Sequence, residues 1–221
     1  MLRAITFDLD NTLIDFIYFK KKATAAAASA MIKAGFKGNK DKLKKELFKF
    51  YLSHGIESDD AFQTFLEKRK GYSDRILAAA LNAYLKTKYE NLRPYPKVKP
   101  TLRKLKAKGL KLAIVTDAPR LKAYMRLDAM GIADMFDVVV GLEDTGRKKP
   151  STLPFRKALK ELKVKPSEAM HIGDWREKDI LGAKKVGMKA CFARYGNNKL
   201  GKKVWADWYV DRFEDLMRVI G

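Results

Sequence analysis

Two aspartates stand two residues apart in Phe7-Asp8-Leu9-Asp10-Asn11-Thr12, directly after the apolar run Arg3-Ala4-Ile5-Thr6-Phe7. Carboxylates this close repel one another unless a proton or a cation resolves the conflict. At the end of a buried strand, solvent is a poor remedy, although Asp and Asn also suit an ordinary strand-terminal turn. Three further segments have the same character. Ile114-Val115-Thr116-Asp117 ends an apolar run in a hydroxyl and a carboxylate, Arg147-Lys148-Lys149-Pro150 is a basic run, and Ile172-Gly173-Asp174-Trp175-Arg176-Glu177-Lys178-Asp179 ends another run in Gly-Asp. Alone, the second can simply cap a helix and the third can be a solvated loop. A carboxylate at Asp174 beside Asp8 and Asp10 would complete an oxygen-ligand site for a hard cation.

These segments need elements to bring them together. Residues 3–7 read as a buried parallel strand. Residues 16–93 contain no convincing strand and read as about four helices. The first spans the Ala-rich stretch to residue 34, and the second follows possible caps at Asn39 and Asp41. The third is a short helix capped by Asp59 or Asp60, and the fourth is an amphipathic helix after Ser73 with Ile76, Leu77, Ala80, Leu81, Tyr84 and Leu85 on one face. After Arg93-Pro94-Tyr95-Pro96 the rhythm changes. Strands are expected at 110–115, 137–140, 169–172, 188–193 and 209–210. Helices are expected between them and at 213–220, with Pro100 in a first turn and Gly109 at a helix end. Alternating strand and helix predicts an α/β parallel sheet with helices on both faces. The sheet-bearing core is then residues 1–15 and 94–221, interrupted after its first strand by a helical unit, 16–93. Ligands of such sheets bind at the carboxyl ends of the strands, so an insertion launched there can act as a lid.

The bulk composition sets outer bounds. The chain has 221 residues, 47% hydrophobic and 33% charged, with no apolar stretch long enough to span a bilayer. The N-terminus lacks the features of a signal peptide, which makes a cytoplasmic location the expectation. The single Cys191 excludes an intrachain disulfide and a cysteine metal cluster. The formal charge of +21 attracts anions. The lysines are scattered, however, with no aromatic-interleaved basic stripe, so the surface reads as a thermophilic trait rather than a nucleic-acid interface. His54 and His171 read as packing residues, since neither has a visible partner in the sequence, and Trp175, next to Asp174, is expected either to wall the site or simply to pack. Phe16, Tyr18 and Phe19 open the helical unit and are candidates to line a pocket.

In this order and at successive strand ends, the four segments resemble the motifs of the haloacid dehalogenase-like hydrolase superfamily across the whole chain. The helical insertion is similar to the cap of its phosphoglycolate phosphatase-like members, and Lys149-Pro150 with Phe155 is similar to their lysine motif. The resemblance implies a Rossmann-like core with a small all-helical cap domain. It implies a Mg2+-dependent phosphomonoester hydrolase acting on a small phosphorylated metabolite. Asp8 would be the nucleophile and Asp10 the acid–base, with Thr116, Asp117 and Lys149 at the phosphoryl group. Asp8, Asp10 through its backbone carbonyl and Asp174 would bind metal, with Asp179 ordering them from behind. A carboxylate at Asp10 argues for a phosphate ester over a halide, whose departure needs no proton. A phosphomutase on the same fold, or a basic anion- or nucleic-acid-binding protein, are the alternatives. Relatives often carry Asn at the position of Asp117, whose carboxylate is expected either to cap the next helix or to alter specificity.

Overall fold

The computed structural model describes residues 1–55, 57–196 and 205–221. The chain divides into two compact units, one comprising Met1–Asp15 with Arg93–Gly221 and the other Phe16–Leu92. Among the described residues, no helix is long and apolar enough to cross a membrane.

The first unit is built on β1 (Ala4–Phe7), β2 (Lys111–Val115), β3 (Val138–Val140), β4 (Ala169–Gly173), β5 (Lys189–Ala193) and β6 (Trp208–Val210). Among the described residues these form a six-stranded sheet of order β3-β2-β1-β4-β5-β6, with every pairing parallel. β1 is therefore central, with Phe7 in register with Ile114 on one side and Ile172 on the other. Sequential strands run away from β1 in both directions, so a crevice opens at its carboxyl end.

Helices α5 (Val98–Ala107), α6 (Arg120–Ala129), α7 (Thr152–Leu162) and α8 (Leu181–Val186), numbered after the four of the second unit, lie between the strands, and α9 (Leu216–Ile220) follows the last. Alternate residues of β1 face opposite layers, as the strand period of two requires. Ala4 packs in a cluster with Phe155, Leu159, Leu162, Ile180 and Met188. Phe7 stacks on Phe213 with ring centroids 5.8 Å apart and meets Phe136 edge-on at 6.2 Å. Both faces of the sheet are thus covered, and all four β1 residues are fully buried. The expected helix at 178–186 differs at its start. Residues Arg176–Ile180 form a wider π-helical turn before α8, which turns Asp179 inward, as such turns often do at working sites.

The second unit consists of α1 (Phe16–Lys33), α2 (Lys40–His54), α3 (Ala61–Lys68) and α4 (Asp74–Asn91). The Asn39 carboxamide caps α2 by accepting the N–H groups of Asp41 and Lys42, and the Ser73 hydroxyl caps α4 at Ile76. Asp60 sits at the start of α3 but makes no capping bond. Its carboxylate is taken by His54 Nε2 at 3.0 Å and by the hydroxyls of Ser58 and Thr64. On α4 only Ile76, Ala80 and Tyr84 are buried, while Leu81 and Leu85 are exposed. The apolar face read from the sequence is wider than the contact it makes.

The core of this unit holds an ammonium. Lys20 is 3% exposed and donates to the hydroxyls of Tyr51 at 2.8 Å and Tyr84 at 2.9 Å, which are themselves 3.0 Å apart. Its charge also lies 5.1 Å from the ring centres of Phe16 and Tyr51, where ring quadrupoles partly replace lost hydration. Removing a hydrogen-bond partner from a buried charged group costs about 1.5–3 kcal/mol. Tyr51→Phe is accordingly expected to destabilise the chain by about that amount, measured by chemical denaturation. A change within about 0.5 kcal/mol would count against a structural role for this cluster.

Candidate active site

The chain leaves β1 through a tight turn. Asn11 adopts φ of 61°, a left-handed conformation that asparagine tolerates better than most residues. Ile14 then bridges Pro94, so the strands leading into and out of the insertion lie side by side. The turn is held from behind by the Tyr195 hydroxyl, which donates to the Thr12 carbonyl at 2.8 Å, with the Tyr195 ring against Tyr95. Beside it, a Cβ on Gly196 would fall 1.8 Å from the Asn11 carbonyl oxygen and 2.7 Å from Asp174 Cβ. Only glycine allows the backbone after β5 to approach both acidic loops so closely.

Lys149, preceding α7, connects the site. Its ammonium donates to Asp8 Oδ1 and to Asp179 Oδ1, each at 2.6 Å, with all three side chains nearly inaccessible to solvent. Asp179 divides its other contacts between the Trp175 N–H, 2.9 Å from Oδ2, and His171 Nε2, 3.4 Å from Oδ1. The ring of His171 is fixed in turn by Thr6 Oγ1 at 2.8 Å and by the edge-on ring of Phe155. Burial holds this imidazole below its ordinary pKa despite the neighbouring carboxylate. Gly173 allows the arrangement because a Cβ there would lie 2.3 Å from Asp179 Cγ.

Asp8, Asp174 and Asp179 present carboxylate oxygens that all lie within 4.8 Å of one another. Burial raises each carboxyl pKa, but not equally. For Asp179, the Lys149 ammonium and the His171 contact outweigh burial and hold the group below the usual range. Asp8 is pushed up to about 7, by burial first and by the charges of Asp179 and Asp10, with Lys149 opposing. Asp174 is pushed up to about 9 by burial and by the charges of Asp8 and Asp179. Lys149 remains charged because Asp179, Asp8 and Asp117 together overcome its own desolvation. Three carboxyl groups thus surround one ammonium, and their full ionisation would leave uncompensated negative charge in a desolvated place. Asp174 Oδ2 is buried with no hydrogen-bond donor. An oxygen set of this charge and an orphaned buried acceptor fit a hard divalent cation.

The remaining expected residues fall as follows. Thr116 follows β2 beside β1, is 3% exposed, and accepts the Ala118 N–H at 3.2 Å. Its own hydroxyl hydrogen therefore stays available to donate. Asp117 does not cap α6, since the Arg120 N–H at that helix start goes to the Glu143 carboxylate at 2.9 Å. Both Asp117 oxygens are engaged elsewhere, Oδ1 by the Lys149 N–H at 2.8 Å and Oδ2 by the Lys178 ammonium at 2.9 Å. It thereby holds the loop that delivers Lys149. Asp10 lies at the edge of the site, its Oδ2 3.0 Å from a guanidinium nitrogen of Arg126.

Two contacts were not anticipated from sequence. Thr12 Oγ1 lies 3.4 Å from Asp8 Oδ2 and 3.5 Å from Asp174 Oδ1, joining the two acidic loops. Its place four residues after Asp8 is a usable signal. Arg126 is the other, a charged residue at a stripe position of α6 between Ala123 and Leu127, both fully buried.

A family model described as haloacid dehalogenase-like hydrolase matches residues 5–193. The chain is 33% identical over 223 residues to a glyceraldehyde 3-phosphate phosphatase from Pyrococcus furiosus, covering 99% of this chain and 93% of the relative. It is 34% identical over 227 residues to a protein of the same description from Methanopyrus kandleri, covering 100% and 97%. Among solved structures, a HAD phosphatase from Thermococcus onnurineus superposes with a TM-score of 0.69 at 26% identity, covering 100% of this chain and 98% of that one.

The raised carboxyl groups make a prediction about pH. Asp8 and Asp174 hold protons in the folded state that the unfolded chain has released above the ordinary value of 3.8. Stability of the metal-free protein should therefore fall as pH rises from 3.8 towards about 9. A divalent cation binds the deprotonated carboxylates, so its stabilising effect should grow over the same window. Thermal melts in chelator and in magnesium chloride across that range would measure both. A magnesium increment independent of pH would contradict the assignment.

Proposed function

The chain belongs to the haloacid dehalogenase-like hydrolases and is a phosphatase, and we propose that Asp8 is the nucleophile with which it hydrolyses a small phosphomonoester. The observation that carries this reading is the buried contact of Lys149 with Asp8 at the carboxyl end of the central strand. A substrate phosphoryl group brought to Asp8 meets an ammonium already desolvated and already aimed, so little reorganisation is left for the transition state. A basic binding protein has no need to bury such a pair, whose desolvation is costly.

Asp8 attacks phosphorus, forming its own O–P bond while the bond to the leaving oxygen breaks. Asp10 gives that oxygen its proton. In the second step Asp10 takes a proton from water as the water attacks phosphorus and displaces Asp8. Lys149 balances charge on the phosphoryl oxygens, and the Thr116 hydroxyl donates to one of them. Asp117 keeps Lys149 in place through its backbone N–H. Asp8, Asp174 and the Asp10 carbonyl are the residues that would hold a divalent cation, for which Mg2+ is the reading. Bound there, it would neutralise phosphoryl charge and offset the burial and repulsion that raise Asp8 and Asp174. Asp179 fixes Lys149 from behind.

The helical unit enters at the carboxyl edge of β1, and we read it as the cap that selects the leaving group. Two relatives at 33% and 34% identity are described as glyceraldehyde 3-phosphate phosphatases, which makes that triose phosphate the first substrate to test.

Release of inorganic phosphate from glyceraldehyde 3-phosphate with magnesium is expected, and Asp8→Asn should lower the rate at least about a thousandfold with the fold intact. Retention of activity in that variant would remove Asp8 as nucleophile. Asp10→Asn should cost about 10²–10⁴-fold on alkyl phosphates and far less on activated aryl phosphates, whose leaving groups need no proton. An equal loss on both would count against the acid role of Asp10.

A further inference from the structure

Lys149 is held at both of its ends. Its ammonium donates to Asp179 Oδ1 at 2.6 Å, and its backbone N–H donates to Asp117 Oδ1 at 2.8 Å. The first carboxylate belongs to the π-helical turn Arg176–Ile180, the second to the loop after β2. A lysine stem is flexible, so a fixed ammonium also needs a fixed backbone behind it. Asp117 can supply that only if its own carboxylate is kept from turning.

The group that keeps it is Lys178. Its ammonium lies 2.9 Å from Asp117 Oδ2, the oxygen that the Lys149 N–H does not use. It also lies 4.4 Å from the centre of the Trp175 ring, so the ion pair sits against an aromatic face. Lys178 precedes Asp179 on the same turn, and the Trp175 N–H holds Asp179 Oδ2 at 2.9 Å. One turn therefore reaches Lys149 twice, directly through Asp179 and indirectly through Lys178 and Asp117. The second route also answers a chemical difficulty. Asp117 adjoins Thr116, whose hydroxyl is assigned to the phosphoryl group, and a bare carboxylate there would repel an incoming phosphate. A cation on one oxygen and an N–H on the other offset that charge.

The pair is partly open to solvent, Lys178 at 32% of its side chain and Asp117 at 20%. Ion pairs of that exposure add little to folding stability, so what this one contributes is orientation. We propose that Lys178 is a positioning residue for the hydrolysis, fixing the Asp117 carboxylate and through it the backbone from which Lys149 reaches Asp8. This rests on the role given to Lys149 above. In that role Lys178 touches neither the substrate nor the reacting atoms, and it takes no proton.

The test measures kcat, KM and melting temperature of the full chain with magnesium, on glyceraldehyde 3-phosphate and on 4-nitrophenyl phosphate. Lys178→Met is expected to lower kcat about tenfold, since small displacements of a catalytic group produce losses of that order. KM and melting temperature should change little. The loss should be the same on both esters, because Lys149 acts on the phosphoryl group they share. Lys178→Gln serves instead if the methionine variant does not fold. Lys178→Arg should restore most of the rate, as it keeps the charge and can stack on Trp175. Asp117→Ala should lose more than Lys178→Met, and combining the two should cost nothing beyond Asp117→Ala alone. Full kcat in Lys178→Met, a loss seen only in KM, a loss confined to one ester, or an additive loss in the double variant would each overturn the proposal. Lys149→Ala separates the two levels of the reading. Retained activity there strikes the role of Lys149 itself. A large loss there beside full activity in Lys178→Met strikes only this inference.

Discussion

The buried ion cluster around Lys149 is the constraint on which the rest of the site depends. Three carboxylates converge at the end of a fully buried strand, and one ammonium meets two of them at 2.6 Å. Removing such charges from water is unfavourable, and a pair of this kind persists only when its geometry is nearly complete. The surrounding residues supply that completion. Asp117 holds the backbone of Lys149, the Trp175 N–H and His171 hold Asp179, and Thr12 spans Asp8 and Asp174. Even so, the carboxyl groups outnumber the ammonium, and a divalent cation is the natural complement to their full ionisation.

The same imbalance separates the roles of chemically identical side chains. Asp179 is held below the usual carboxylate range by its ammonium partner, whereas Asp174 has no such partner and is pushed well above it. Asp8 lies between them, with its proton affinity raised by burial and lowered by Lys149. Asp10 stands apart, partly exposed and paired with a guanidinium from a different element. Four aspartates therefore occupy four environments. How readily Asp8, Asp174 and Asp179 ionise follows from those environments rather than from the residue type.

Much of this was legible along the chain. The buried strand before Asp8, the hydroxyl after Val115 and the Gly173-Asp174 pair carried their meaning in local order, because parallel strands are nearly continuous apolar runs that end abruptly. The capping roles of Asn39 and Ser73 were equally local. Asp60 was less so, since the competing partners of its carboxylate include His54, six residues away. The exposed Leu81 and Leu85 show a related limit. Helical periodicity reports which residues share a face, not how much of that face finds a neighbour. The charge of +21 likewise constrains the surface without naming a ligand.

Composition and spacing alone determined that this is an α/β protein with a helical insertion after its first strand, and that aspartates, a threonine and a lysine stand at strand ends. Those are properties of local periodicity and of residue type. Only the tertiary structure decided which charges face one another. Asp117 holds the Lys149 loop instead of capping its own helix, because Glu143 reaches that helix start first. Arg126 meets Asp10 across 116 positions of sequence. No local pattern encodes such a contact, since it arises from the parallel pairing of β1 with β2, which α6 follows in the chain. Pairing energies in a desolvated interior depend on distances of a few ångströms, and those distances exist only once the chain has folded.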